Sequence, residues 1–539
     1  MLCNIDSNIF IMAHKFVRLV KKGEESLNKK SKKVYLYRYN FSSQKLEKAR
    51  QVIWGDYLRI DENHDTSHLD SKWIPVVWSP RFNPETLYID ESYTSKERPL
   101  EIIFLDVGQG DGAILISPEQ SSEEKIFVID AGESENMYTF LKARFNPYRS
   151  FKFEGAIITH PDRDHYLGFE NIFKDHRFGF KNIYQNGLVE RPVSGKFEKV
   201  GGFKTDPDNG KDYIYDLAES KHDIEKHFSD DTNFGRYEFP PIMFNALNNP
   251  LIENFAILST HPKHSTHENG RAFMPGFAPS NNLPYQIEIL GPIIEEKNGK
   301  LRLRKISNQY GKTKNGHSIL LRLHFGKFKV FFGGDLNSIA EKFLLKHYTN
   351  RTRFPQKGSL KSKEMIEEAK NWFEADIMKT CHHGATDVTD EFLSAVNPAC
   401  FVISSGDEEG HIHPRPDLLG RLGKFGKGES PVILSTELQR STREFEDETK
   451  VKKVLKKLKT MTNESNKAKR TEIKEKIERD IHDLTKLNVE TYGAIYLKTD
   501  GQRLITAFKI EEKSDKKKWF YFEYLIDDDG KLKLKHVSG

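Results

Sequence analysis

The segment EGAIITHPDRDH, residues 154–165, does most to limit what this chain can become. Its first half is an apolar run of the kind that forms a buried strand. The run stops at Thr159, and His160, Asp162, Asp164 and His165 follow at once. A turn after a strand can aim alternate side chains at one point. Imidazoles and carboxylates gathered there suit Zn2+, Mn2+ or Fe2+. The plainer reading is that these residues cap the next helix. The arrangement recurs, however: Gly334-Asp335 after VFFG, His382-His383-Gly384 after DIMKTC, and His411 and His413 after FVISSG. Side chains delivered by several loops to one sheet edge are how open α/β folds build sites.

The rest of the pattern predicts a layered α/β core. EIIFLDV, GAILISP and KIFVIDAG read as strands, followed by a helix over Ser134–Phe145 with Ser134 as its cap. Further helices fit Ser338–Tyr348, Lys363–Phe373 and Pro416–Lys424, alternating with apolar strand-like runs. Residues 1–98 form a separate part. It opens with a basic segment, eight Lys/Arg against two Glu from Lys15 to Lys33, read as a solvated helix. A small β-rich module follows, whose Trp54, Tyr57, Trp73 and Trp78 are expected in a core rather than on a base-stacking face. Residues 99–539 form the main domain, with two insertions. The first, at about 190–285, is polar and poorly periodic and predicts little regular structure. The second, at about 437–490, is helical: Val451, Val454, Leu455 and Leu458, then Ile473, Ile477, Ile481 and Leu484, predict an amphipathic hairpin. Over 450–490 it carries thirteen Lys/Arg against seven Asp/Glu.

Composition excludes several classes. A net charge of +5 over 539 residues is too small for a purely electrostatic nucleic-acid coat. Three cysteines, Cys3, Cys381 and Cys400, are too few for a disulfide framework. With no apolar stretch of membrane-spanning length and no signal-like N-terminus, a cytoplasmic protein without a membrane partner is expected.

Together, LDVGQGDGAILI, FVIDAG, THPDRDHYLG, NGHSILLRL, FFGGDL, ADIMKTCHHGA, HPRPDLLGRL and GAIYLKTDG resemble the metallo-β-lactamase fold superfamily. The branch is that of the hydrolase domain of the DNA-uptake competence protein ComEC. The resemblance implies an αββα sandwich with two divalent ions, Zn2+ or Mn2+, at one sheet edge. It implies that His160 and Asp162 hold the first ion, that Asp164 and His165 hold the second, and that Asp335 bridges them. The His-His-Gly motif adds His383, with His382 as the alternative. His317 stands where the branch commonly has Asn, and is either a ligand or a residue beside the ligands. Asp106, Asp111 and Asp130 are expected to support turns or orient ligands.

The implied activity is metal-dependent hydrolysis of a phosphodiester by an activated hydroxide, most simply a nuclease acting on DNA. Asp164 and His413 are its catalytic candidates, Asp164 to orient or deprotonate the nucleophile and His413 to meet substrate. The architecture fits an effector in bacterial defence or DNA processing. The alternatives are a hydrolase of a small phosphodiester such as a cyclic nucleotide, and a protein-binding scaffold. Nucleic acid is the expected partner, and the N-terminal module and the 450–490 hairpin are the surfaces for a protein partner. Cys381 is read as a buried small residue. His261, His264 and His267 are read as a solvated loop rather than a second metal site.

Overall fold

A computed structural model describes residues 13–24, 29–78, 84–145, 151–406, 413–428, 431–436, 448–477, 493–510, 514–526 and 532–538. The fold is mixed α/β with several sheets. By its internal contacts the chain divides into two compact units. One comprises residues 1–101, 117–124 and 496–539; the other comprises 102–116 and 125–495. The C-terminal strands belong to the same unit as the N-terminal residues.

In the first unit a seven-stranded sheet runs, in spatial order, Lys45–Val52, Val34–Asn40, Glu85–Asp90, Trp73–Trp78, Tyr57–Ile60, His14–Val17 and Thr94–Ser95. The basic segment is therefore not a solvated helix where it is described. His14–Val17 is a strand, and Phe16, Val17, Leu19 and Val20 are buried. Apolar residues between the lysines find a core, which charge counting alone overlooks. Trp54 is buried as expected, whereas Tyr57 is exposed and stacks on His14. Buried polar bonds join the sheet to the C-terminal strands. Ser31 Oγ donates to Glu523 Oε2 at 2.7 Å, and the Lys518 and Trp519 amides donate to Gln51 Oε1 at 2.8 and 3.0 Å.

The second unit carries the candidate site. Its first sheet contains β1 (Gly112–Ile116), β2 (Ile126–Ala131), β3 (Lys152–Ile157), β4 (Gly179–Gln185) and β5 (Ile252–Ile257). Strands β2 to β5 are parallel and β1 is antiparallel to β2. Every residue of β1 and β2 is buried, as a strand covered on both faces requires. The helices α1 (Asn136–Phe145), α2 (Arg163–Tyr166) and α3 (Phe169–Lys174) follow these strands, and Ser134 Oγ accepts the Asn136 amide at the start of α1.

The 190–285 segment is far more regular than its sequence predicts. It holds α4 (Lys221–Phe228), capped by a Ser220–Asp223 box, and α5 (Phe239–Asn248). It also supplies β5 to the first sheet. To the second sheet it supplies β6 (Thr266–Glu268), β7 (Arg271–Phe273) and the start of β8 (Tyr285–Gly291). The elements are short and held by distant partners. Asn249, for example, donates to the carbonyls of Phe173 and Phe178, so local periodicity does not reveal them.

After α6 (Tyr310–Gly316), the second sheet continues with β9 (Leu320–Phe325), β10 (Phe328–Phe332), β11 (Ile377–Lys379), β12 (Cys400–Ile403) and β13 (Val432–Ser435). Strands β10 to β13 are parallel. The helices α7 (Ser338–Tyr348), α8 (Leu360–Phe373), α9 (Asp390–Val396) and α10 (Pro416–Phe425) pack on this sheet through Leu344, Met365, Phe373, Phe392, Leu418 and Phe401; Cys381 is buried in the same core. Of the predicted helical hairpin, α11 (Glu448–Asn463) is present, residues 467–477 are helical, and 478–492 lie outside the described residues. Along α11, Leu455 and Leu458 are exposed beside Lys453, Lys456 and Lys459.

Candidate metal centre

The side chains that matter follow the carboxyl ends of parallel strands. Asp130 ends β2, His160 to His165 follow β3, Asp335 follows β10, and His382 and His383 follow β11. His160, His165, His383 and Asp335 are all buried.

The hydrogen-bond partners decide which ring nitrogen of each histidine faces the cluster. His165 Nδ1 lies 2.8 Å from Asp130 Oδ2, and His383 Nδ1 lies 2.8 Å from Asp111 Oδ1. A carboxylate only accepts, so both Nδ1 atoms carry the proton. For His160, the neighbours of Nδ1 are Thr159 Oγ1 at 3.2 Å and Ser318 Oγ at 3.3 Å. Both hydroxyls already donate elsewhere, Thr159 to Asp130 Oδ2 and Ser318 to the Asn315 carbonyl, so here too Nδ1 is the donor. The three Nε2 atoms therefore turn inward, toward carboxylates. His165 Nε2 is 3.3 Å from Asp335 Oδ1. His383 Nε2 is 3.2 Å from Asp335 Oδ2 and 3.4 Å from Asp164 Oδ2. His160 Nε2 is 4.0 Å from Asp335 Oδ2. None of these nitrogens makes a hydrogen bond, and neither does Asp335 Oδ1. Buried donors and acceptors are rarely left unmatched. Imidazoles whose far nitrogen is bound to a carboxylate, with the near one free, are arranged as metal ligands are. The residues present thus fit a divalent cation.

Asp111, His165, Asp335 and His383 offer ligand atoms all within 4.8 Å of one another. Asp111 is the odd member, because Oδ1 accepts from His383 and Oδ2 is paired with Lys379. It orients His383, as Asp130 orients His165, and Asp164 is the better fourth donor.

Electrostatics points the same way. Burial alone would lower the His165 pKa, but Asp335 and Asp130 raise it to about 10. His383 is likewise raised to about 10, against burial, by Asp335 and Asp164. Burial works to raise Asp164 and Asp335, yet the facing histidines hold both below the usual carboxylate range. Burial, helped by His165, lowers His160. Without a cation, the facing carboxylates favour the protonated forms of His165 and His383.

The backbone is shaped for this cluster. His382 and His383 are consecutive residues with φ of 50° and 51°, a conformation that costs an ordinary residue about 1–3 kcal/mol and is kept where the surroundings enforce it. A Cβ on Gly110, whose φ is +109°, would lie 1.7 Å from the Asp164 carbonyl oxygen, so only glycine lets that loop reach Asp164.

The remaining candidates are placed as follows. Asp162 caps α2; its Oδ2 is 3.9 Å from His160 Nε2 and its Oδ1 is 3.1 Å from Lys314 Nζ. His382 Nε2 is 3.7 Å from Asp335 Oδ2, with the ring partly exposed. The His413 ring is 6.3 Å from that of His382; His411 lies outside the described residues. The structure does not bring His317 into the cluster. Its Nε2 donates to the Arg304 carbonyl at 2.7 Å, and burial lowers its pKa to about 4. Of the insertion histidines, His267 is exposed and His261 partly so, while His264 is not solvated. His264 is buried against Ser259 Oγ, and His267 bonds the Thr260 carbonyl. Lys314, Asn315, Ser318 and Lys379 escaped the sequence reading. Asn315 and Ser318 lie inside the matched NGHSILLRL run and Lys379 inside ADIMKTCHHGA, but nothing in the pattern marks Lys314.

No family model matches the chain. No curated protein matches it. Among solved structures, it is similar to Tm1679, described as a metal-dependent hydrolase of the beta-lactamase superfamily. The identity is 10%, the TM-score is 0.27, and the match covers 63% of this chain and 96% of that one.

Proposed function

We propose that the chain is a metal-dependent hydrolase of metallo-β-lactamase type, with an αββα core, that cleaves phosphodiester bonds, DNA being the favoured substrate. One observation carries the reading: three buried imidazoles, each with Nδ1 already donating, turn unpaired Nε2 atoms toward the buried Asp335 and the part-buried Asp164. Asp164, His165, Asp335 and His383 would hold the cation, with His160 beside them. When bound, such a cation lowers the pKa of water and polarises the bond under attack.

The protein's own groups do the rest. The Asp164 carboxyl is held below the usual carboxylate range by His383 and His165, and as a carboxylate it positions the attacking water. Gln109 Nε2 donates to Asp164 Oδ2 at 3.3 Å and fixes its angle. Burial lowers the His382 pKa, which favours the form that accepts a proton. His382 and, beyond it, His413 are the groups placed to take the proton released by the attacking water and pass it to the leaving oxygen. The choice of DNA is supported by the ComEC-type motifs and by the exposed lysines of α11, which suit a phosphate backbone.

The test is to load the protein with Mn2+ or Zn2+ and incubate it with linear, circular and single-stranded DNA, RNA and cyclic dinucleotides. DNA fragments from wild type, and none from Asp335→Asn with reduced metal content, are expected. Cleavage of cyclic dinucleotides alone would replace the polynucleotide reading with the small-diester one. Normal metal content in Asp335→Asn would remove Asp335 from the site.

A further inference from the structure

A second cation beside the first would need donors on the side of His160 and Asp162. There the protein has put a cation of its own. Lys314, at the end of α6, is buried, and its ammonium lies 3.1 Å from Asp162 Oδ1 and 3.0 Å from Glu190 Oε1. Tyr310, one turn earlier on α6, also donates to Glu190 Oε1, at 3.0 Å. The neighbouring Asn315 amide, with its nitrogen turned to its best partners, donates to Asp162 Oδ2 at 3.1 Å and to the Gly311 carbonyl at 2.7 Å. Both oxygens of Asp162 are thus engaged by donors. His317, the nearest other imidazole in sequence, is committed to the Arg304 carbonyl. What stays open on this side is His160 Nε2, the Asp335 Oδ2 it shares with His383, and the part-exposed His382.

We infer that the centre is asymmetric: one ion is held tightly by Asp164, His165, Asp335 and His383, and a second, beside His160, is held weakly because Lys314 occupies Asp162. The inference rests on the metal-dependent reading above and sharpens it. Lys314 acts as a fixed charge that takes part of the second ion's electrostatic role. A buried ammonium about 3 Å from a carboxylate competes directly with any ion seeking that oxygen, and the low-dielectric surroundings strengthen the competition. Glu190 shares the ammonium and so moderates its hold on Asp162.

The experiment titrates the metal-free full chain with Zn2+ alone and counts bound ions by calorimetry and by elemental analysis after buffer exchange. Wild type should retain one ion per chain and bind the second at least tenfold more weakly. Lys314→Met, which keeps the volume and removes the charge, should tighten the second ion at least tenfold. The first ion should stay within threefold, and because its ligands do not include Lys314 its affinity also reports that the variant is folded. Glu190→Gln should move the second ion the opposite way, toward weaker binding. Two equally tight ions in wild type, or an unchanged second affinity in Lys314→Met, would overturn the asymmetry and leave the metal reading standing. Wild type that binds no ion would overturn the metal reading itself.

Discussion

Metal binding at this centre should expel protons, and the number can be worked from the geometry. His165 and His383 are both raised to about 10, so at pH 7.5 both rings are charged in the metal-free protein. A metal ligand must be neutral imidazole, so loading the site releases about two protons. The sign follows from the direction of the shifts. The charged rings stabilise the metal-free protein fully below their unfolded pKa of about 6.5, and that contribution is lost as pH rises through about 10. Metal affinity runs the other way, rising ~100-fold per pH unit between pH 7 and 9, one factor of ten for each proton. Asp130→Asn removes one of the two charges that raise His165, and an asparagine tolerates the φ of 54° found there. Release should then fall toward about one proton and the slope toward ~10-fold per unit. Zn2+ calorimetry at one pH in buffers of different ionisation enthalpy gives the proton count directly. A count near zero in wild type, or a slope that Asp130→Asn leaves unchanged, would show that these two imidazoles do not carry the extra protons in the metal-free protein.

Glu341 gives a stability test away from the metal. It is fully buried on α7, its pKa is raised to about 8 by burial, and one carboxyl oxygen has no hydrogen-bond partner. Its ionisation opposes folding, so stability should fall by ~3 kcal/mol between pH 5 and pH 8 on this account; Glu341→Gln should flatten that slope in denaturant titrations followed at both pH values. His413→Ala should keep the bound metal yet slow turnover by ~10²–10⁴, with partial recovery on a substrate that has a good leaving group; loss of metal instead would make His413 a ligand. Reversing Lys453, Lys456 and Lys459 to Glu should weaken DNA binding and flatten its dependence on salt, while an unchanged salt slope would free α11 from any role in DNA contact.

The parts of this protein that could be read in advance are those where chemistry and local pattern coincide. Asp335 and His383 stand directly after apolar strands, so their position at a sheet edge follows from the run that precedes them. Asp130 and Asp111 could be given only a supporting role, because what distinguishes them is which imidazole nitrogen they meet. His317 shows the limit of a motif: one turn at the end of α6 decides whether its ring enters the cluster or faces the Arg304 carbonyl. Lys314 and Asn315 sit in YGKTKNG, a helix with no apolar stripe, and their meaning comes entirely from Asp162, which is distant in sequence. The 190–285 segment misled for a related reason. Its strands β5 to β7 are only six, three and three residues long and complete sheets begun elsewhere, too short to show an alternation of their own.

The way the first unit draws on both ends of the chain bears on how the protein is made. Ser31 and Gln51 meet Glu523 and Trp519 only after the residues between them have been synthesised. Residues 102–116 and 125–495, which include every ligand candidate, emerge earlier and form a unit with its own core. At typical translation speeds of ~5–20 residues per second, the N-terminal strands wait on the order of 20–80 s for their C-terminal neighbours. During that interval the nascent sheet presents unmatched strand edges and buried-to-be polar groups to solvent and to other chains. Vectorial synthesis thus leaves the unit without the metal centre as the late and vulnerable one. Damage to residues 496–539 should therefore appear first as aggregation of newly made protein rather than as a change in the chemistry of the site.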